Sequence, residues 1–505
     1  MTTIAAGLMV LTLFSKVLGF LREIILAARL GATPAGDAFK VAGFAPMVLF
    51  TAVSLAIPNT LIPLLTERAE KAGPKAVDRY VANLTNSITI VLIVAAGLGM
   101  LCTPWIIKLV APGFKEETYR LTVELSYMLM PCITIMGLLG LTTAYLYFRR
   151  AFAFPAASGL VFNLVMITSL LILVPKVGLH GAVAGIILAY LGQCLFLLSC
   201  AWRYGYRFRL ILDLRDPYLK RMAALALPML AGSAVTAFTN LFDRVFASYL
   251  APGSIAALDY AVLLTDSAFG IFVLAVGSVY FPALSQSCTR QDWEAYSRQL
   301  LRASTMVIYI IFPIAVGLAV TAQPVVSLFF ERGEFDARAS LMTAAALLFY
   351  ALGMVGHSLQ DIFSKAFYAL QDTITPVRNG VAMVIINISL NYFLVKAMGL
   401  GGIALSTSIA FTLTAFLLSY GLKRKVQGFN CRLLWIALFK SGLAVLVMGF
   451  AIKSCDCLLS QHFSGKTGLL CRVALDFFWG GIVYTTALYL LKVPVFQEFW
   501  GRGET

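Results

Sequence analysis

Apolar runs of membrane-spanning length alternate with short polar loops along the whole chain. Their cores fall at 4–30, 38–65, 81–109, 121–148, 155–174, 181–202, 219–249, 255–284, 301–329, 339–369, 376–396, 401–422, 433–453 and 468–491. A helix crosses the bilayer core with about 20 apolar residues. The pattern therefore predicts an all-α polytopic membrane protein with about fourteen transmembrane helices. Cations gather in every second loop. Arg68, Lys71, Lys75 and Arg79 follow span two, Arg149 and Arg150 follow span four, and Arg203, Arg207, Arg209, Arg215, Lys220 and Arg221 follow span six. Arg290, Arg298 and Arg302 follow span eight, and Lys423, Arg424 and Lys425 follow span twelve. The opposite loops hold roughly half as many, so the positive-inside rule puts the basic loops and both termini in the cytoplasm.

The pattern also repeats. Pro155-x-x-x-Gly159 and Pro376-x-x-x-Gly380 each open an apolar span, and Gly178-Leu179-His180-Gly181 and Gly399-Leu400-Gly401-Gly402 follow them at the same offset of ~221 residues. Pro63 and Pro282 stand at nearly that offset near the ends of spans two and eight. Spans 1–6 and 7–12 thus read as two pseudo-symmetric six-helix lobes inserted in the same sense, a transporter plan with the cargo site where the halves meet. The expected division is 1–215 for the N-terminal lobe, 216–428 for the C-terminal lobe, and 429–505 for two extra C-terminal helices, 13 and 14, and a cytoplasmic tail.

Composition sharpens this picture. The chain has 505 residues, 60% hydrophobic and 12% charged, whereas soluble proteins carry about 25% charged residues. No stretch reads as a soluble domain. The net charge of +15 is that of the basic loops and calls for no nucleic acid. The first span lacks a basic leader and a small-residue cleavage site, so it reads as a retained helix. Nine scattered cysteines give no disulfide framework; Cys455 and Cys457 form a lone C-x-C, and His180, His357 and His462 are too dispersed for a histidine metal cluster.

The candidate chemistry lies where polar residues interrupt apolar spans. Span one carries Lys16, Arg22 and Glu23. A charge at the centre of a membrane helix costs roughly 2.5–3.5 kcal/mol, so three such residues are expected to face a bundle interior or a wet cavity. Lys16 and Glu23 are seven apart and share a face; the plainer reading is a pair that braces helices. Lys40 opens span two, placed either for the cavity or to snorkel to the surface. Asp243-Arg244 interrupts span seven. His357, Asp361 and Lys365 form one stripe on span ten at i, i+4 and i+8, suited to relaying protons, to contacting cargo or to joining helices. Asn387 and Asn391 share a face of span eleven, and Thr407 follows Ile403 by one turn on span twelve. With Asp243 these supply carboxylate, amide, hydroxyl and carbonyl oxygens, a donor set suited to a hard cation such as Na+.

Several stretches resemble one family. Ser15-Lys16-Val17-Leu18-Gly19-Phe20-Leu21-Arg22-Glu23, Gly31-Ala32 and Asp37-Ala38-Phe39 look like the opening of the MurJ (MviN) lipid II flippases, members of the multidrug/oligosaccharidyl-lipid/polysaccharide (MOP) exporter superfamily. Ala111-Pro112-Gly113-Phe114, Phe246-Ala247-Ser248 with Gly253-Ser254, Pro282-Ala283-Leu284-Ser285, Gly333-Glu334-Phe335, and Gln371-Asp372 before Thr375-Pro376 continue the match in order. The resemblance implies fourteen helices and a non-enzymatic transporter in the bacterial cytoplasmic membrane. It would move the undecaprenyl-diphosphate-linked peptidoglycan precursor between leaflets by alternating access, in contact with membrane lipid and with cell-wall synthesis proteins. It makes Lys16, Arg22, Lys40 and Arg244 the partners of the cargo diphosphate. It implies a sodium site of Asp243, Asn387, Asn391, Ile403 and Thr407 as the coupling site, with Asn391 replacing an aspartate of some members. Three further positions depart from the family. Lys16 replaces a usual arginine, Met47-Val48-Leu49-Phe50-Thr51 lacks an arginine pair, and Val262-Leu263 follows Tyr260-Ala261 in place of Asp-Arg. The alternatives are a flippase for another polyprenyl-diphosphate-linked oligosaccharide and a cation-coupled drug exporter of the same superfamily.

Overall fold

The computed structural model describes residues 2–213, 215–426, 428–460 and 465–493. His462 and the tail beyond 493 lie outside them, as do the side chains of Leu49, Phe50 and Thr51. Among the described residues the regular structure is helical, without strands. Contacts divide the chain into two compact units, Met1–Ile255 with Arg332–Phe335, and Ala256–Glu331 with Asp336–Thr505.

The first unit holds α1 (Thr2–Leu30), α2 (Pro34–Ala42), α3 (Phe44–Val110), α4 (Glu116–Leu129), α5 (Cys132–Phe148), α6 (Ala153–Ile172), α7 (Val174–Val177), α8 (Leu179–Arg203) and α9 (Pro217–Ser248). The second unit is built on α10 (Ser254–Thr289), α11 (Trp293–Val320), α12 (Ala322–Phe330), α13 (Ala337–Ala369), α14 (Ile374–Met398), α15 (Leu400–Lys425), α16 (Cys431–Ser460) and α17 (Gly465–Leu490). Ten helices among the described residues are long and apolar enough to cross a membrane, and the pair α4–α5, bent by 41°, makes an eleventh. The other predicted spans coincide with α1, with α2 and the first arm of α3, and with α9. The polar loop expected after span two is helical instead: α3 runs through it, broken only at Gly73 with φ 75°. The Glu67–Lys71 ion pair of 2.7 Å lies at i, i+4 and suits a helix.

The repeat has a backbone counterpart inside each unit. Gly178 precedes α8 with φ 60° and ψ −138°, and Gly399 precedes α15 with φ 57° and ψ −127°. Both occupy a region that L side chains avoid, which explains why glycine stands at both positions. Three residues on, Gly181 and Gly402 each donate to that glycine's carbonyl at 3.0 Å.

The segment between α8 and α9 is strapped to α3. Asn83 donates to the Asp213 carbonyl at 2.9 Å and accepts its N–H at 2.6 Å; Asn86 donates to the carbonyls of Arg209 and Ile211. Asp216 caps α9 through the Tyr218 N–H and holds Arg68 at 3.1 Å, with the guanidinium over the rings of Tyr80 and Tyr218. These contacts place α9 in the first compact unit, although the repeat assigns it to the second copy. Elsewhere small residues let helices approach closely. Gly159 of α6 lies against the Ser15 hydroxyl of α1, and Gly353 of α13 lies against Ser408 of α15.

Candidate functional site

The charges of α1 form a network with α2 and α6 inside the first unit. Glu23 holds Arg22 at 2.6 Å through one carboxylate oxygen and Lys40 at 3.1 Å through the other. Arg22 also donates to Asn163 Oδ1 at 3.1 Å, and its guanidinium lies over the Phe162 ring at 5.4 Å. Asn163 in turn donates to the Ser15 carbonyl at 3.0 Å. The expected Lys16–Glu23 brace is replaced: Glu23 reaches across to Lys40 of α2, and Lys16 is exposed on α1. Two cations, Arg22 and Lys40, thus share the Glu23 carboxylate, one on each oxygen. Arg244 belongs to the same unit and lies over the Phe44 ring at 4.9 Å.

A second feature of this unit gathers family motifs scattered over the sequence. Asp37 Oδ2 accepts the Gly253 N–H at 2.6 Å, and a Cβ at Gly253 would stand 1.8 Å from the Ala32 carbonyl oxygen. Ser248 Oγ accepts the Gly113 N–H at 3.0 Å, and the Glu334 N–H donates to the Ala28 carbonyl at 2.9 Å. Four loops, near 31, 113, 250 and 333, are thereby joined at one end of the unit. The sequence reading quoted these stretches as motifs but gave Asp37 no role. Its signal was available in the small residues and short loops that recur with it after every odd span.

In the second unit the polar stripe of α13 divides in two. Lys365 donates to Asp361 at 2.5 Å, with its ammonium over Gly277 of α10, where a Cβ would lie 2.5 Å away. The His357 ring is stacked between Phe269 at 4.3 Å and Phe411 at 4.1 Å, so its two faces are spent on packing.

The amide pair of α14 meets α15 in a hydrogen-bonded chain. Asn391 donates to Asn387 Oδ1 at 3.1 Å, Asn387 donates to Thr407 Oγ1 at 3.0 Å, and Thr407 donates to the Ile403 carbonyl at 3.1 Å. All four residues are buried. Asp243 belongs to the other unit. Among the described residues no group of three or more His, Cys, Asp or Glu side chains is placed to hold a metal ion. The chain offers neutral amide, hydroxyl and carbonyl oxygens, a donor set that fits a hard cation.

Comparison with known proteins assigns this architecture. Residues 26–472 match the family model described as lipid II flippase MurJ. Lipid II flippase MurJ of Burkholderia cenocepacia is 27% identical over 423 residues, 82% of this chain and 82% of that protein. Probable lipid II flippase MurJ of Rickettsia prowazekii is 26% identical over 508 residues, 98% of each. A solved structure of lipid II flippase MurJ in an inward closed conformation superposes with a TM-score of 0.81 at 22% identity, over 96% of this chain and 99% of that one. An inward-facing multidrug resistance transporter of the MATE family, MOP superfamily, gives a TM-score of 0.70 at 15% identity, over 82% and 95%. At these identities the structures speak for a shared fold, and the family model speaks for kinship: spanning nearly the whole chain, it shows that this protein belongs to the MurJ family of lipid II flippases.

Proposed function

We infer that the chain is a multi-pass lipid II flippase of the bacterial inner membrane, a transporter with no covalent chemistry of its own. The observation that carries this reading, beside family membership, is the α1–α2–α6 network, where Arg22 and Lys40 both stand on Glu23 and Arg22 is aimed by Asn163, with Lys16 exposed on the same helix. A diphosphate is anionic, and an arginine fork is suited to phosphate oxygens. The polyprenyl tail remains in lipid while the head group passes through a polar environment. Arg244 adds a further cation in the same unit, and the two six-helix lobes at 1–215 and 216–428 supply the alternating halves. The loop latch at Asp37 and Gly253 ties the loops near 31, 113, 250 and 333 together at one end of the first unit. The positive-inside pattern makes that the outer end, with both termini cytoplasmic.

The Asn387, Asn391, Thr407 and Ile403 chain serves in this reading as part of the Na+ coupling site, with Asp243 as its carboxylate. Asn387 Oδ1 accepts one hydrogen bond and keeps a further lone pair. Na+ binding there should raise the melting temperature by mass action, and Asp243→Asn should abolish that rise. Equal melting in Na+ and choline would remove the site.

Cell-wall synthesis proteins are the expected neighbours in the membrane. A second cargo, another polyprenyl-diphosphate-linked oligosaccharide, is favoured by one observation: Tyr260 and Ala261 are buried and lead into Val262 and Leu263, with no charge in the place where the family has Asp-Arg. The discriminating experiment is complementation of a MurJ-depleted bacterium. Growth restored by the wild-type chain supports lipid II as cargo; lysis despite normal insertion overturns it.

A further inference from the structure

The hairpin of α16 and α17 lies outside the repeat, and no role in cargo handling has been given to it above. Its two helices pack along a continuous stripe. At one end the Ser441 and Tyr484 hydroxyls are 2.9 Å apart, and Tyr484 donates to the Tyr309 carbonyl of α11 at 3.0 Å. Farther along, Gly480 meets Ile452, whose Cδ1 would stand 2.7 Å from a Cβ at that position. At the other end Arg472 grips Asp456 through two nitrogens, at 2.6 and 3.1 Å.

Between the glycine contact and this ion pair sits Asp476. It is one helical turn from Arg472 and one from Gly480, on the face that α17 turns to α16. Its exposure is 0%. Apart from the thiol of Cys455, no hydrogen-bond donor among the described residues reaches either carboxylate oxygen. The Cys455 thiol, a weak donor, lies beside it, and Asp456 stands near enough to repel a negative charge there.

Charge counting makes this position unusual. The groups facing Asp476 are Cys455 and Asp456 from α16 and Arg472 from its own helix. α12, which also packs on α17, contains no charged residue. The charged residues of α11, namely Glu294, Arg298 and Arg302, line a groove with Lys440 and Lys492 at the opposite end of the hairpin. One arginine therefore faces two carboxylates and is already held in a fork by the first. A lone ionised carboxylate in such a setting is expensive enough that it neutralises instead.

We propose that Asp476 is a proton-binding site of the α16–α17 hairpin, and that the proton decides how Arg472 is shared. With the proton bound, Asp476 is neutral, Arg472 stays on Asp456 and the stripe closes around Gly480. When the proton leaves for solvent, two carboxylates compete for one guanidinium and the turn containing Asp476 and Arg472 is pulled from its packing. The hairpin is thereby sensitive to proton activity independently of the charges on α1.

The test uses the full-length protein in nanodiscs, read by infrared spectroscopy and by thermal melting across a pH series. The carbonyl band of a protonated carboxylic acid should be present in the wild type on the acid side of neutrality, be lost as pH rises, and be diminished in Asp476→Asn. The wild-type melting temperature should fall as pH rises from acid through neutral, and that fall should flatten in Asp476→Asn. Asp456→Asn supplies an independent arm. With Asp456 neutral, Arg472 is free to pair with Asp476, so the acid band should diminish likewise although Asp476 is still present. A band unchanged in Asp476→Asn, or retained in Asp456→Asn, overturns the proposal. So does a melting temperature that follows Na+ or K+ at fixed pH in Asp243→Asn and no longer does so once Asp476→Asn is added, which would make the charge bound at Asp476 a metal ion.

Discussion

Asp37 Oδ2 accepts the backbone N–H of Gly253 at 2.6 Å, a bond between residues 216 positions apart in sequence that ties the start of α2 to the loop before α10. A hydrogen bond to a carboxylate contributes about 1.5–3 kcal/mol. Asp37→Ala should destabilise this loop cluster by about that amount and raise the labelling rate of cysteines introduced into the loops near 113 and 333. Gly253→Ala should do the same more severely. Its φ of 92° and the Ala32 carbonyl at 1.8 Å from the new Cβ leave no room for a side chain. Unchanged labelling in both variants would show that these contacts do not hold the four loops together.

Asn163 is the residue that aims Arg22. It accepts from the guanidinium and donates to the Ser15 carbonyl, linking α6 to α1 by both ends of one amide. Asn163→Ala should cost about 1–2 kcal/mol of stability and lower complementation efficiency with every charge still in place. Asn163→Asp, which keeps an acceptor but loses the donor, should recover less than half of that activity. Full activity in Asn163→Ala would show that Arg22 needs no fixed orientation.

Lys365 and Asp361 form one half-buried pair, so their variants should not add. Lys365→Ala should cost about 1–3 kcal/mol by leaving a carboxylate unpaired among apolar helices. The double neutral variant, Asp361→Asn with Lys365→Ala, should regain part of it. Melting in detergent reads the difference, and simple additivity would mean that the two residues do not act as a pair.

Asp372 supplies a pH dependence outside the membrane spans. It accepts the Thr375 N–H at 3.0 Å and the Thr375 hydroxyl at 2.6 Å, and it pairs with Lys425. Burial opposes its ionisation, but the hydrogen bonds from Lys425 and Thr375 outweigh burial and push its carboxyl down to about 2. A carboxyl held below its ordinary value near 3.9 contributes stability that is complete above that value and lost as pH falls towards about 2. Asp372→Asn should lower stability at neutral pH by about 1 kcal/mol, the size of a lost helix cap. The gap to wild type should close as the pH approaches the folded value. A gap that stays constant down to that pH would rule out the ionised carboxylate as its source.

The spans were legible because length and hydropathy are properties of one segment at a time. The breaks within them were not. Span two reads as one run but is divided at Gly43 between α2 and α3, and span four bends between Leu129 and Cys132, next to Pro131. Neither break interrupts hydropathy, which is what the eye follows. The repeat was legible because glycines with positive φ cannot be exchanged freely, so Gly178 and Gly399 mark equivalent turns. In the site, residue types pointed to the right helices, yet the partner of Glu23 was misjudged. Heptad spacing sees Lys16 on the same helix; Lys40 reaches Glu23 through the turn at Gly31–Thr33, which no periodicity reports. Asp476 escaped notice for a similar reason. Its isolation depends on Arg472 being engaged by Asp456, a contact between two helices.

The central claim is that Arg22, held between Glu23 and Asn163, receives the diphosphate of the lipid-linked cargo. It is tested most directly by the amount of lipid II reaching the outer leaflet in MurJ-depleted cells that express either the wild-type chain or Arg22→Ala, at matched levels of inserted protein. The account predicts translocation by the wild type and its loss in Arg22→Ala, with Arg22→Lys retaining only a fraction because the fork is gone. Full translocation by Arg22→Ala would contradict it.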